Sequence, residues 1–162
     1  MEKIKEVLSC LAYMEKETYK LYDDLYSKME DSKERGTILF ISLDTLKHYL
    51  IYSRLAGEEQ SENPELCSEL LGEMYRDVIK LNSELRERIS NIERIDEKEL
   101  EKLLECTSSV ERKIYEEAMV SSISRILSEE SRGEIAKVLM LIGEDELRHD
   151  DLLRKLIDEG KK

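Results

Sequence analysis

The chain has 162 residues, of which 40% are charged, and a formal net charge of -12. This length predicts one domain, 1–162, with a core large enough to need no disulfide staples. The acidic balance repels phosphate backbones and anionic lipid surfaces, so it argues against a nucleic-acid or membrane partner and favours cations. Because the chain has one proline and six glycines, it offers little chemistry for tight hairpins, and the composition predicts an all-α fold.

Three widely spaced cysteines, Cys10, Cys67 and Cys106, form no CxxC pair. We therefore expect neither a disulfide framework nor a thiolate zinc site, and we expect Cys10 and Cys106 to act as small apolar fillers. No apolar run approaches the roughly 18 residues that a membrane span requires. The expected setting is a reducing cytoplasm, and abundant Lys and Glu with few amides are typical of thermophile proteins.

The first two predicted helices form a hairpin. Apolar residues recur at spacings of three and four over roughly 2–31, which predicts the first helix. The polar segment 31–36 is expected to break it. A second apolar pattern then runs to Gly57, where a glycine at the helix end predicts a stop.

A long crossover follows the first hairpin. The segment 57–64 is the most polar break in the chain, and Pro64, its only proline, is well placed to open the next helix. Helical spacing continues to about Asn91, around a predicted irregularity at Gly72. The crossover is therefore predicted to be helical rather than a tight turn.

Two further helices complete the predicted order. The sequence Asp96-Glu-Lys-Glu99 is typical of a capping box that opens the third long helix, and Ser131-Arg-Gly-Glu134 is typical of another that opens the fourth. The inner stripe of the third helix is predicted to include Ala118 and Ile126. Two short-looped hairpins joined by one long crossover are typical of ferritin-like four-helix bundles.

Polar residues interrupt the apolar stripe of each long helix, and a buried polar group is costly unless a partner satisfies it. The helical spacing predicts that six of them face inward: Glu15, Thr45, His48, Glu111, Glu146 and His149. Counted from the two predicted turns at 1.5 Å per residue, the carboxylates and the imidazoles fall at one level. The sequence uses both of its histidines in this layer.

Three carboxylates in one layer would repel one another without a cation. Carboxylates combined with imidazoles suit iron or manganese better than the metals that prefer thiolates. The sequence therefore predicts a non-haem metal centre midway along the bundle, with one or two ions. Iron is the expected metal, and manganese is the alternative.

At these residues the sequence resembles the rubrerythrin and ferritin-like di-iron carboxylate family. The first helix has Glu15 followed seven residues later by Tyr22, as in that family, and Glu144-Asp-Glu-Leu-Arg-His149 contains a complete Glu-x-x-His pair. Glu111 stands at about the right separation ahead of that pair, although Ala118 replaces the aromatic residue expected seven positions later. The chain has none of the CxxC pairs of a rubredoxin module.

The second helix departs from the family pattern, because Thr45 stands where a bridging Glu is expected before His48. Asp44 shares the face of that histidine, and it is the candidate that would supply the missing carboxylate. Otherwise the site would hold one metal, or two with a weak second position. The resemblance implies reduction of dioxygen or peroxide, oxidation of ferrous iron or iron handling, with an external electron donor and a homodimer.

The competing hypothesis is a metal-free helical interaction module. In that interpretation the polar layer is degenerate, and the exposed crossover binds a partner or forms a dimer. The threonine at position 45 favours this alternative. Bound metal in the purified protein is the observation that separates the two hypotheses.

Overall fold

A computed structural model describes residues 2–57, 62–114, 116, 120, 124 and 133–161. Within these ranges the chain is helical and forms no strand beyond an isolated bridge between Met29 and Ile95, which confirms the all-α prediction. The helices are α1 (Glu2–Lys28), α2 (Lys33–Ala56), α3 (Pro64–Leu71), α4 (Met74–Ser90), α5 (Glu97–Lys113) and α6 (Gly133–Gly160). None of the described helices is long and apolar enough to cross a bilayer.

The turn between α1 and α2 is shorter than predicted. Since α1 ends at Lys28 and α2 begins at Lys33, Gly36 lies inside α2 and the predicted break over 31–36 is wrong in extent. The physical reason is the side chain of Ser32, which accepts a hydrogen bond from the N–H of Arg35 at 3.4 Å and caps the helix early.

The predicted helix ends around the crossover are confirmed. Gly57 takes the left-handed conformation, with a φ of 96°, and its N–H donates to the carbonyls of the last turn of α2. Asn63 caps α3, and Pro64 is its first residue. Gly72, with a φ of 87°, ends α3, so the predicted irregularity divides the crossover into two helices.

The two predicted capping boxes have different outcomes. The Asp96 side chain accepts a hydrogen bond from the N–H of Glu99 at 2.8 Å, and it caps α5 as predicted. In the segment 131–134, Ser131 and its neighbour lie outside the described residues, and so do Ala118 and Ile126.

The long helices pack as two pairs. The most extensive contacts join α1 to α2 and α5 to α6, and α2 also contacts α6. The crossover helices α3 and α4 both pack against α1, and α4 continues the contact to α5. At one end, the N–H of Ile95 donates to the carbonyl of Lys28 at 3.1 Å and ties the end of the crossover to the end of α1.

The buried apolar residues form two clusters, one on each side of the polar layer. One cluster includes Leu8, Leu11, Met14, Tyr52, Ile114 and Leu139. The other includes Leu21, Leu25, Ile38, Leu103 and Leu153. Along each long helix the predicted inward polar residues fall between the two clusters, so the layer lies inside the protein and not at an end.

The cysteines contradict the sequence-based prediction. Cys10 and Cys67 form a disulfide that joins α1 to α3, and neither residue is exposed to solvent. The prediction that Cys10 is only an apolar filler is therefore wrong. The packing of α3 against α1 brings the two Cα atoms to 5.4 Å, a distance that a disulfide spans readily and that sequence spacing cannot reveal. Cys106 is a free, half-buried thiol.

Candidate metal centre

Five titratable residues from four helices are buried together, as predicted. Glu15 comes from α1, His48 from α2, Glu111 from α5, and Glu146 and His149 from α6. Each side chain is at most 1% exposed. Burial of three carboxylates among apolar clusters is expensive unless the groups are neutralised, so the layer requires a chemical explanation.

Two groups of side chains share Glu146. In the first group, Nδ1 of His48 lies 2.7 Å from one oxygen of Glu146 and 4.0 Å from Glu15. In the second, Nδ1 of His149 lies 3.6 Å from Glu111 and 3.8 Å from the other oxygen of Glu146. Within each group the ligand atoms all lie within 4.8 Å of one another. Glu146 therefore stands between two sets of one carboxylate and one imidazole.

Six inner atoms of these groups make no hydrogen bond of regular geometry, although Nδ1 of His48 lies 2.7 Å from Glu146. They are both oxygens of Glu15, one oxygen each of Glu111 and Glu146, and Nδ1 of both histidines. Buried polar atoms nearly always make well-formed hydrogen bonds, so six atoms in one layer that do not are unusual. An oxygen-rich set with two imidazoles, divided between two groups that share Glu146, fits divalent iron or manganese.

Two aspartates contact the outer nitrogens of the histidines. Oδ2 of Asp145 lies 3.1 Å from Nε2 of His48, and Oδ2 of Asp44 lies 2.9 Å from Nε2 of His149. Each contact crosses between α2 and α6. A carboxylate on the outer nitrogen fixes the tautomer that leaves the inner nitrogen free to bind a metal.

The structure thus places Asp44 on the outer side of the layer. Asp44 belongs to neither of the two groups that share Glu146, although it forms a third group with His48 and Asp145 at the edge of the layer. Asp145 was missed by the sequence analysis. The sequence does contain a signal for it. Asp145 directly precedes Glu146, as Asp44 directly precedes Thr45, and a histidine follows four residues after each aspartate.

The segments that carry these residues are related by an approximate two-fold arrangement. Residues 44–48 read Asp-Thr-Leu-Lys-His, and residues 145–149 read Asp-Glu-Leu-Arg-His. Their basic residues also correspond: Lys47 binds Asp145 at 2.8 Å, and Arg148 binds Asp44 at 3.3 Å. Thr45 is therefore the structural counterpart of Glu146.

Tyrosines and a second ionic cluster border the layer. The hydroxyl of Tyr22 donates a hydrogen bond to Glu111. On the other side, Asp150 follows His149 and accepts hydrogen bonds from Ser108 and from Arg112 of α5. These contacts hold α5 and α6 in register beside the layer.

The pKa values of the buried carboxylates are strongly shifted, and burial is the first cause in each case. Burial, followed by repulsion from Glu146 and Glu111, raises the pKa of Glu15 well above its usual range. Burial and the charge of Glu146 raise the pKa of Glu111 to about 8. Burial also opposes ionisation of Glu146, but hydrogen bonds from Glu111, His149 and His48 hold its pKa well below the usual range.

The pKa of His149 depends more on its hydrogen bonds than on its burial. Burial lowers its pKa, but hydrogen bonds to Asp44, Glu111 and Glu146 outweigh that effect and raise the pKa to about 12. Without a metal, protons on Glu15, Glu111 and His149 therefore take over the neutralisation of the layer. A metal ion would have to displace these protons.

Comparisons with protein-family models, with curated proteins and with solved structures find no match for this chain. The functional argument consequently depends on the geometry of this layer and on its residue chemistry.

Proposed function

We propose that this chain is a non-haem metal protein of the ferritin-like type, with its helices arranged as a variant four-helix bundle. Glu15 and His48 would hold one ion, Glu111 and His149 a second, and Glu146 would bridge the two. The polar layer between two apolar clusters and the packing of the long helices in two pairs support this assignment.

The observation that carries the proposal is the clustering around Glu146 of buried carboxylate oxygens and imidazole nitrogens that make no regular hydrogen bond. Their partners on the outer side are in place, because Asp44 and Asp145 contact the histidine rings and Tyr22 contacts Glu111. A layer that no longer binds metal would gain nothing from holding its side chains in these orientations. The outer contacts are the kind that position metal ligands.

Iron is the metal that we propose, with manganese as the alternative, because the donors are carboxylate oxygens and imidazole nitrogens. Bound iron would cycle between ferrous and ferric states and so supply redox chemistry toward dioxygen, peroxide or ferrous iron. The chain itself positions the ligands and buries them from bulk water. An external donor would supply electrons, since no rubredoxin-like cysteine pairs occur in the sequence.

Compartment and assembly are further parts of the proposal. We propose the cytoplasm of a thermophilic organism, because disulfides such as Cys10–Cys67 occur in intracellular proteins of hyperthermophiles and the chain is 40% charged.

We also propose a homodimer formed through α2 and α6. Its face carries the exposed apolar residues Phe40, Leu43, Leu50, Met140, Leu141 and Leu147. Sedimentation velocity tests the dimer.

Metal stoichiometry tests the proposed function directly. The protein is purified without chelator, loaded anaerobically with Fe²⁺, separated from free ions and analysed for iron. We expect about two ions per chain in the wild type, as in di-iron carboxylate bundles. Glu146→Gln should lose both ions because it removes the shared ligand, whereas Glu15→Gln and Glu111→Gln should each lose one.

The matched control is Glu144→Gln, which makes the same chemical change on the exposed side of the same helix. This variant should keep the wild-type iron content. Circular dichroism on every variant separates metal loss from unfolding. Wild-type protein that binds no iron and no manganese would refute the proposal.

A metal-free interaction module remains the second candidate, and the exposed apolar face of α2 and α6 is the observation that favours it. In that case the protonated layer would be purely structural. The same measurement decides between the two candidates, because the module predicts no stoichiometric metal in the wild type. It also predicts that changes at Glu146 and Glu144 leave metal content equally at background.

A further inference from the structure

A cavity of about 360 Å³ lies at the end of the protein where α1 turns into α2, and no residue of the polar layer lines it. Its walls come from that turn, from the residues that precede and begin α5, and from the last turns of α6. The hydrogen bond from the N–H of Ile95 to the carbonyl of Lys28 ties two of these walls together. Small-molecule sites in proteins have volumes of about 300–1,000 Å³ and are usually preformed, so this cavity has the size of a site for a small ligand.

The floor of the cavity is apolar. Met29, Ile95 and Leu104 are each at most 6% exposed and belong to the apolar cluster on this side of the polar layer. Leu100 and Leu156 are half-buried and pack against the same cluster. A ligand with a hydrocarbon body would remove the remaining apolar surface from water, which favours binding.

The polar part of the cavity wall is acidic. Among the described residues that line it, five are carboxylates and none is basic: Glu30, Glu34, Asp96, Glu97 and Glu101. Arg94 pairs with Glu30, and Lys161 lies 3.7 Å from Glu101. The other three carboxylates have no basic partner within the described ranges. The cavity therefore attracts a cation and repels an anion.

The helix ends at the cavity do not reverse this preference. The first turns of α2 and α5 would by themselves attract an anion, but Ser32 and Asp96 cap them, and Glu34 and Glu97 already place negative charge there. The end of α6 acts in the other direction. Gly160 lines the cavity, and the last turn of α6 carries no basic residue, so its carbonyl groups favour a cation.

We propose that this cavity binds a small organic cation that consists of a primary ammonium group on an apolar body. The body would cover Leu100 and Leu156, and the ammonium group would lie at the unpaired carboxylates of Glu34 and Glu97. The ligand is a free amine, because the volume suits one small molecule. The inference is independent of the proposed metal centre, since the cavity and the polar layer share no residue.

Calorimetric titration of the full chain with 2-phenylethylamine at neutral pH tests the proposal. We expect one molecule per chain with a dissociation constant below about 1 mM, a range that a ligand of this size can reach. The neutral analogue 2-phenylethanol should bind at least about tenfold more weakly, and the anion 3-phenylpropanoate should bind more weakly still. Added salt should weaken binding of the amine more than binding of the alcohol. A chelator should change none of these results.

Two variants separate the charge of the site from its shape. Glu97→Gln should weaken binding of the amine by about 3- to 10-fold and leave binding of the alcohol unchanged, because it removes one attractive charge. Glu93→Gln, an exposed change outside the cavity, is the matched control and should bind like the wild type. Leu100→Trp should abolish binding of both ligands, because the larger side chain fills the cavity.

Backbone amide shifts in nuclear magnetic resonance locate the bound amine without any substitution, and they decide the location if Leu100→Trp does not fold. Shifts at Ile95 and Leu104 are expected. Shifts confined to other parts of the protein, or loss of binding in chelator, would overturn the location. Equal affinities for the amine and the alcohol would overturn the cationic class of the ligand. No binding of the amine at 10-fold above the expected constant would overturn the proposal as a whole.

Discussion

At the scale of single residues, Asp44 and Asp145 connect the surface to the buried layer. Each carboxylate contacts a histidine of the opposite helix on one side and a basic side chain, Lys47 or Arg148, on the other. Hydrogen bonds from these neighbours outweigh burial and keep the pKa of both aspartates below the usual range, so both stay ionised. They are therefore positioning residues that orient the imidazole rings.

Removing the negative charge of these aspartates should weaken the metal binding that we propose. We expect Asp145→Asn and Asp44→Asn to lower Fe²⁺ or Mn²⁺ affinity by about 10- to 100-fold, the usual effect of losing a carboxylate behind a histidine ligand. Affinity is measured by competition with a fluorescent chelator. Asp151→Asn, an exposed change on the same helix, is the control and should have wild-type affinity. Equal affinities in all three variants would contradict the positioning role.

The inward residues were predictable one at a time, but their contacts were not. Glu15, His48 and Glu111 interrupt regular apolar stripes, so helical spacing alone placed them inside. Asp145 lies beside Glu146 in an acidic run, where only a comparison of residues 145–149 with residues 44–48 singles it out. Its role depends on the packing of α6 against α2, which the sequence does not display.

At the scale of helices, local chemistry determined the predictable boundaries. Four helix boundaries depend only on a residue's own backbone or on the next turn of the chain, and each was predicted from the sequence: Gly57, Pro64, Gly72 and Asp96. The contact of α3 with α1 depends on how the crossover folds back. The Cys10–Cys67 disulfide was missed for this reason.

Breaking this disulfide should destabilise the protein measurably. Its sequence separation is 57 residues, and closing a loop of that size restricts the unfolded chain enough to contribute about 2–4 kcal/mol. We expect the double variant Cys10→Ala, Cys67→Ala to lose stability by that amount in urea unfolding. Cys106→Ala is the matched control with an unbonded thiol, and it should lose much less. A double variant as stable as the control would show that the link contributes nothing.

At the scale of the whole molecule, the polar layer divides the apolar core into two clusters and makes stability depend on what neutralises the layer. The level of the layer was predictable, because the number of residues between a turn and a side chain, multiplied by the rise of a rigid helix, gives its distance from that turn. The two-fold relation between residues 44–48 and 145–149 emerges only when both hairpins are packed.

Metal-free protein should become less stable as pH rises from about 5 to 8. Glu15 and Glu111 keep protons in the folded state, with a pKa of about 8 for Glu111, at pH values where the unfolded chain has lost them. Their contribution is complete below the unfolded pKa and is lost as pH rises through the folded one. The raised pKa of His149 acts in the same direction above about pH 6.5.

Thermal unfolding in chelator at several pH values measures this effect. We expect the midpoint to fall by several degrees, since about 1 kcal/mol corresponds to about 2–4 °C in a domain of this size. Glu111→Gln should flatten the slope, because it removes one of the raised carboxylates. The matched change Glu144→Gln should leave the slope as it is. A chelated wild type that gains stability over this range would contradict the prediction.

The disulfide also has a practical consequence for spectroscopy. Because Cys10 and Cys67 are bonded to each other, Cys106 is the one thiol of the chain that a maleimide dye can alkylate. Cys106 precedes Glu111 on α5 by roughly 7.5 Å along the helix axis at 1.5 Å per residue. A fluorophore attached there would be quenched by a paramagnetic ion in the layer, and its brightness would report occupancy in real time.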